Sequence, residues 1–315
     1  AWGAPRAVRL SQAGGPGDAP GALAREALRL SKRPDASLFH DDLADTFYLC
    51  HFRDFCAEAD AQGLQYLAEA EFHEMQDLDL PPSVRERLAA FAPDLVAREQ
   101  YLDFVRERRF RQTLLCHAGV PLRSELRGGD VWPLAISSAA SPEGTEVDPL
   151  SRETQPYRGA RGSAFSTSEP LLKVAMATLR REWPRAVPAE ELLQIAAAGC
   201  SQPAGAAQRE RLGDFALACY AAGGVDLHVR QPPFSRWPGP RPRASALARL
   251  QVPEAAVVTS LLGNSVEVDD PLARRILPLL DGTRDRAALL RETRADATEL
   301  ERCLEGLGRC ALLAA

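Results

Sequence analysis

The stretch EQYLDFVRERRFRQTLLC, residues 99–116, decides how the first half of this chain is read. It sets Arg106, Arg108, Arg109 and Arg111 among aromatic and aliphatic residues. Two readings compete: a basic, aromatic element that grips phosphate, or a core helix whose charges are paired inside the domain. On a helical wheel of about 100° per residue, Tyr101, Leu102, Phe104, Val105 and Leu115 share one broad face. Phe110 and Leu114 lie nearly opposite. Apolar residues on two sides predict a helix sandwiched inside a domain, running from about Asp94 to Cys116. Glu99, Asp103 and Glu107 step by four toward Arg111, the favourable acid-before-base order, and Asp103 also reaches Arg106. The charges are therefore expected to orient the helix more than to add stability. Arg108 and Arg109, with Tyr101 and His117, are the candidates for an outward contact with a protein or an acidic ligand.

The rest of the chain sets bounds on that reading. At 315 residues it has room for two or three domains. Apolar residues make up 45% and charged residues 26%, enough for sizeable cores. The net charge of -5 excludes a chain-wide basic field of the kind that draws proteins to nucleic acid or anionic lipid. Lys32 and Lys173 are the only lysines, so basic charge is almost all arginine. The seven cysteines form no CxxC pair and read as buried free thiols of a reducing cytoplasm. No apolar run reaches the ~18 residues of a membrane span, and the first residues lack the charged-then-apolar order of a signal peptide. A cytoplasmic location is expected. The chain starts on Ala1 without a methionine, so a fragment of something longer is expected too.

Punctuation divides the chain. AGGPGDAP closes residues 1–20 as a turn-rich linker, and GALAREALRLSKRPD reads as a short amphipathic helix stopped by Pro34. Residues 39–70 read as helical, broken at Gly63, with Phe47, Leu49, Phe52, Phe55, Leu64, Tyr66 and Leu67 as core positions. LPPSVRERLAAFA starts a helix after Pro82. After Gly119 the texture becomes turn-punctuated and β-branched, down to Phe165, with a polar loop at 138–163. Three helices follow in SEPLLKVAMATLRREWP, VPAEELLQIAAAG and QRERLGDFALACYAAGG. VDLHVRQP then alternates as a strand with Val225, Leu227 and Val229 on one face. PFSRWPGPRPR reads as a proline-rich linker. The last segment gives two short strands around Gly263-Asn264, a helix closed at Asp281-Gly282, and two more helices. Both later segments have the layout of a winged-helix-like module.

Chemical motifs are sparse. EFHEM, residues 71–75, sets a histidine between acids without the HExxH spacing that places two imidazoles on one helix face. His40 with Asp41 and Asp42 is equally loose. His51 follows Cys50 and His117 follows Cys116, but adjacency in sequence does not align a nucleophile with its base. RGGD and AAGG lack the spacing and context of a phosphate loop, and there is no GxSxG elbow. A winged helix that binds DNA needs a basic recognition helix. Residues 166–240 hold eight basic against seven acidic residues, and 241–315 hold eleven of each. Neither has the footprint of a DNA binder.

Three stretches carry a family resemblance: FRDFCAEADAQGLQYLAEAEF at 52–72, REQYLDFVRERRFRQTLLCHAGVPL at 98–122, and the helix-stop layout from SLFHDDL. The first half, roughly residues 35–165, resembles the predicted methyltransferase regulatory domain. The later part, through EPLLKVAMATLRREWPRAVPAEELL and LPLLDGTRDRAALL, is similar to the C-terminal region of rickettsial-type protein lysine methyltransferases. In that family a class I S-adenosylmethionine-dependent domain normally precedes these parts. Its glycine-rich cofactor loop and ribose-reading acid are not found in this sequence. The chain also has LADTFYLCHF where relatives tend to carry an acidic, Pro-containing segment.

The expectation is a mainly α chain with small β elements, an α+β protein. Residues 1–34 form a linker and junction helix. Residues 35–165 form the regulatory domain. Residues 166–235 and 236–315 form two winged-helix-like modules. The resemblance implies a non-catalytic, regulatory or substrate-presenting part of a methyltransferase, with no catalytic residue, cofactor or metal of its own. Its partners would be a methyltransferase catalytic domain, in cis or in trans, and a protein substrate, without nucleic acid or membrane. The alternative is a DNA-binding winged-helix regulator.

Overall fold

The computed structural model describes residues 24, 27–33, 35–46, 48–77, 79–92, 94–108, 110–123, 125–159, 162–231 and 233–315. The expected linker over 1–20, Phe47 and Arg109 lie outside them. The chain divides into two units, residues 1–58 and 59–315. In the first, a helical turn at Asp35–Ser37 runs into a wider turn at Leu38–Asp42, and helix α1 (Phe52–Ala61) begins there and ends in the second. Phe52 is buried and its ring lies 6.5 Å from that of Phe55. The helical pattern expected over 39–70 breaks at Gly63 as read, but the segment after the break is a strand and not a helix. Leu49 and Leu67, placed in the core by the sequence, are exposed.

The second unit begins with a ribbon that corrects the central expectation. Gly63 turns the chain at φ 73°, in the left-handed region glycine tolerates. Strand β1 (Leu64–Glu69) follows, then a 3-10 turn at Phe72–Met75, α2 (Pro82–Phe91) and α3 (Leu95–Arg106). Asp94 caps α3 by accepting a 2.7 Å bond from the Ala97 amide. Glu107, at φ 49°, stops it. Six residues later the chain forms β2 (Thr113–His117), antiparallel to β1, with Leu64 opposite His117 and Glu69 opposite Thr113. A bulge between Tyr66 and Ala68 interrupts the register. TLLC is thus a strand, not the end of a helix. A short apolar run fits both periods, and pairing with LQYLAE decides between them.

Two three-stranded sheets follow. One joins β4 (Ser141–Pro142), β5 (Gln155–Arg158) and β6 (Ala164–Thr167) in order. The other sets β3 (Ala135–Ser137) between β7 (Val187–Pro188) and β8 (Asp226–His228). Helices α4 (Pro170–Glu182), α5 (Ala189–Gly199) and α6 (Ala206–Ala221) close one core over them. That core draws Val131, Ile136 and Tyr157 together with Leu172, Leu193 and Leu212, so the division expected at residue 165 runs through a single core. The stretch expected to be a polar loop contains β4 and β5. It is anchored by Lys173, whose buried ammonium donates to the carbonyls of Asp148, Ser151 and Glu153 at 2.9–3.1 Å. Val229 is exposed, so the β8 alternation ends at His228.

The last module packs α7 (Ala246–Gln251), the hairpin β9 (Val257–Thr259) and β10 (Ser265–Glu267), α8 (Pro271–Ile276), α9 (Arg286–Thr293) and α10 (Ala297–Arg309) around a second core. Gly263, at φ 80°, makes the expected hairpin turn. Asp270, Asp285 and Asp296 cap the three last helices through their side chains. The expected free linker at 233–243 is instead tied down. Ser235 donates to the Leu313 carbonyl at 2.9 Å, and Ala314 donates to Arg243 at 2.7 Å. No disulfide forms among the described residues; only Cys219 and Cys303 are buried, while Cys50 and Cys310 are exposed.

Candidate interaction site

The helix α3 is held to its surroundings by charge. Glu69, on β1, and Glu99, on α3, are fully buried side chains. The chain reverses after Glu107 and brings Arg108 and Arg111 back over them. Arg111 donates to Glu69 Oε1 at 2.5 Å, to Asp103 Oδ1 at 2.8 Å and to Glu99 Oε2 at 3.2 Å. Arg108 donates to Asp103 at 3.1 Å, to Glu99 at 3.3 Å and to the Glu74 carbonyl at 2.6 Å. Tyr66 and Thr113 add hydroxyl donors to Glu69. Arg98 reaches the Met75 carbonyl and Asp77, and Arg106 reaches the carbonyls of Glu74 and Gln76 and the Asp79 carboxylate. The segment 74–79 is therefore pinned by three guanidiniums. Burial raises the Glu99 carboxyl above the usual range, against the pull of Arg111 and Arg108.

The four residues singled out in the sequence do not converge. Arg108 is turned inward, with 9% of its side chain exposed. Arg109 lies outside the described residues. Tyr101 is 43% exposed, beside Phe104 and Val105 on the outer face of α3. His117 is exposed at the end of β2, and its carbonyl accepts from Gln65 at 3.0 Å. Of the apolar face expected to be packed, Leu102 is buried, while Tyr101, Phe104 and Val105 are turned to solvent. What the stretch does chemically is orient that face.

A second feature was not visible in the sequence as a unit. A cleft of about 310 Å³ opens where the 70–73 segment meets β8, the 183–184 turn and the tip of the last hairpin. Phe72 stacks on Tyr220 with ring centroids 5.2 Å apart. Ser137 and His228 face each other across β3 and β8, Oγ to Nε2 at 2.8 Å. Asp226 is two residues from His228 on the same strand, so both point to the same side of the sheet. Burial holds the His228 imidazole below its usual pKa, although Asp226 pulls the other way. His73 lies 3.6 Å from Glu71 and packs against Gly223, where a Cβ would meet its ring at 3.3 Å. The one sequence signal for this cleft was EFHEM, which has no metal spacing. Tyr220, Asp226 and His228 come from segments far away in the chain.

Comparison with known proteins adds the context. Residues 34–117 match the predicted methyltransferase regulatory domain, and residues 240–306 match the PKMT C-terminal winged helix domain. Over 162 residues, 50% of this chain, it is 36% identical to an uncharacterized protein of Rickettsia prowazekii (strain Madrid E), of which that segment is 29%. The fold is similar to the structure of PKMT2 from Rickettsia typhi, with a TM-score of 0.81 at 20% identity, over 98% of this chain and 67% of that one. For PKMT2 in complex with AdoHcy the TM-score is 0.80 at 20% identity, over 96% and 65% of the two chains. The chain thus carries a methyltransferase regulatory domain and a PKMT-type winged helix, as the sequence resemblance implied. It spans about two thirds of the PKMT2 structures and under a third of the curated relative.

Proposed function

We propose that this chain is the non-catalytic, substrate-presenting part of an S-adenosylmethionine-dependent protein methyltransferase. The observation that carries the reading is the pairing of the two matched domains in one chain, residues 34–117 and 240–306. The sheet topology supports it: every strand pair among the described residues is antiparallel. A dinucleotide-like cofactor crevice is built on a parallel sheet. The segment around α4, α5 and α6 serves as a second winged-helix-like module between the two matched regions. The catalytic partner acts in cis or in trans, and the exposed face of α3 is available to it or to a protein substrate.

Two measurements test this. In calorimetric titration the chain alone gives no saturable heat with S-adenosylmethionine; micromolar binding would overturn the non-catalytic reading. In a methyl-transfer assay with a separate PKMT-type catalytic domain, adding the chain lowers KM for the protein acceptor and leaves kcat little changed. An unchanged KM sinks substrate presentation. Balanced local charge, eleven basic against eleven acidic residues in 241–315, weighs against DNA as the ligand.

A further inference from the structure

We propose that the free edge of β10, in the last module, binds an extended segment of a partner protein, which adds to the β9–β10 hairpin as a third strand. Among the described residues β10 pairs with β9 alone. Ser260 donates to the Asn264 carbonyl at 2.9 Å and Val268 to the Ala256 carbonyl at 2.8 Å. The bonded pairs of this antiparallel ladder are therefore 256–268, 258–266 and 260–264. By the same alternation the N–H and C=O of Glu267 point away from β9. No backbone group among the described residues bonds the Glu267 or the Asp269 amide. Helix α10 faces this edge, and the space between them is a groove of about 700 Å³. Its apolar lining includes Leu272, Leu307 and Leu312. Gly306 opens the helix wall, since a Cβ there would meet nothing within 4 Å. An open strand edge facing a helix is the arrangement that takes up a peptide as an added strand.

The edge selects its occupant. Outward peptide groups at every second residue are matched by an extended backbone and not by a helix, whose own amides are already bonded. At ~3.3 Å per residue, the 265–269 stretch faces about four or five residues of such a segment. Every second side chain of the segment falls on the leucine lining, so those side chains are apolar. Charge narrows the choice. Glu267, Asp269, Asp270 and Glu299 line the groove against Arg275 and Arg302, so a segment without acids fits. The same acids disfavour a second copy of this chain, because pairing two β10 edges would bring Glu267 and Asp269 of both strands into one ladder. The inference goes beyond the methyltransferase reading and does not rest on it.

Binding is read on the full chain by NMR, from the backbone amides of Glu267 and Asp269. The probe is the blocked peptide acetyl-Thr-Val-Thr-Leu-Thr-Val-amide, and a control of the same composition groups its apolar residues together. Two further versions carry N-methyl groups on the odd or on the even amides. The alternating peptide gives a saturable shift and slows hydrogen exchange at Glu267. The N-methylated version whose blocked amides face β10 binds about tenfold more weakly, and the other is little changed. Glu267→Pro removes the outward amide without breaking a bond to β9, and Gly306→Leu narrows the groove from an open helix position. Both are checked for folding by circular dichroism and followed at Asp269, and each weakens the peptide by a similar factor. The proposal is overturned if the peptide does not saturate, if the grouped control or both N-methylated versions bind as tightly as the parent, or if neither variant weakens binding. Dimerisation of the full chain that Glu267→Pro abolishes gives the edge to a second copy and overturns the partner assignment.

Discussion

Arg111 Nη2 lies 2.8 Å from Asp103 Oδ1, and the two residues meet across a chain reversal instead of along two turns of one helix. The same guanidinium reaches Glu69 on the neighbouring strand. It therefore joins α3, β1 and β2 at one point, with 12% of its side chain exposed. Removing one partner of a buried charge cluster is costly because the others stay buried without compensation. Arg111→Met is expected to destabilise the ribbon by about 3–5 kcal/mol. Urea unfolding, with hydrogen exchange at β1 and β2 amides, measures it. The exposed pair Arg123–Asp130 is the control, and Arg123→Ala is expected to leave the midpoint unchanged. Equal midpoints for the two variants would show that the cluster does not hold α3.

The cluster also makes stability depend on pH. Glu99 has a carboxyl raised by burial, so the folded state holds its proton more tightly than the unfolded chain. The stabilisation is full below the ordinary glutamate value of about 4.3 and is lost as pH rises through the raised folded value. Glu99→Gln removes this component. Melting temperatures followed from acid to mildly alkaline buffer should fall with pH more steeply in the wild type than in the variant. Parallel profiles would mean that Glu99 stays ionised when folded.

Lys173 predicts a local effect. Its ammonium satisfies three carbonyls of the 148–153 loop, as well as the Ser151 hydroxyl at 3.1 Å. Lys173→Met keeps much of the stem and removes the donors. Each acceptor left buried costs about 1–3 kcal/mol. Limited proteolysis should then cut within 146–154 faster than in the wild type, and thermal stability should drop. A loop that resists cleavage equally in both proteins contradicts the anchoring role.

Gly213 predicts a steric effect. Helix α6 crosses the 128–131 turn so closely that a Cβ on Gly213 would sit 2.6 Å from the Gly128 carbonyl oxygen. Both contacting atoms are backbone, so neither yields easily. Gly213→Ala is expected to cost about 1–3 kcal/mol as overpacking, despite alanine's better helix propensity. Thermal unfolding that rises instead would mean the turn moves away freely. The first glycine of RGGD, a motif without phosphate-loop spacing, is explained by this crossing.

Much of the local architecture was legible along the chain. Periodicity and caps located α2, α4, α5, α6, α8, α9 and α10, while α7 was not read from the sequence. Asp270, Asp285 and Asp296 cap there because a short carboxylate can reach the first free amides. Gly263 and Gly282, both at positive φ, mark turns for the same kind of local reason. The ion pairing of the 99–116 stretch was legible as well, since acids and arginines alternate there. Its geometry was not. TLLC satisfies a helical wheel and a strand alternation equally, and only a partner strand 44–53 residues earlier chooses between them.

What the sequence determined alone, then, was the resemblance to the two matched families, most helix positions and the presence of paired charge, because these depend on residue type and near spacing. Tertiary structure decided which side of each element faces water. It turned Arg108 inward and Tyr101 outward, drew residues 131–157 into the core of the segment after 165, and tied 233–243 to the chain end. It also assembled the aromatic and acidic cleft from residues 71–73, 183, 220 and 226. Such long-range contacts are set by packing and backbone pairing, and no periodicity within one element encodes its distant partner.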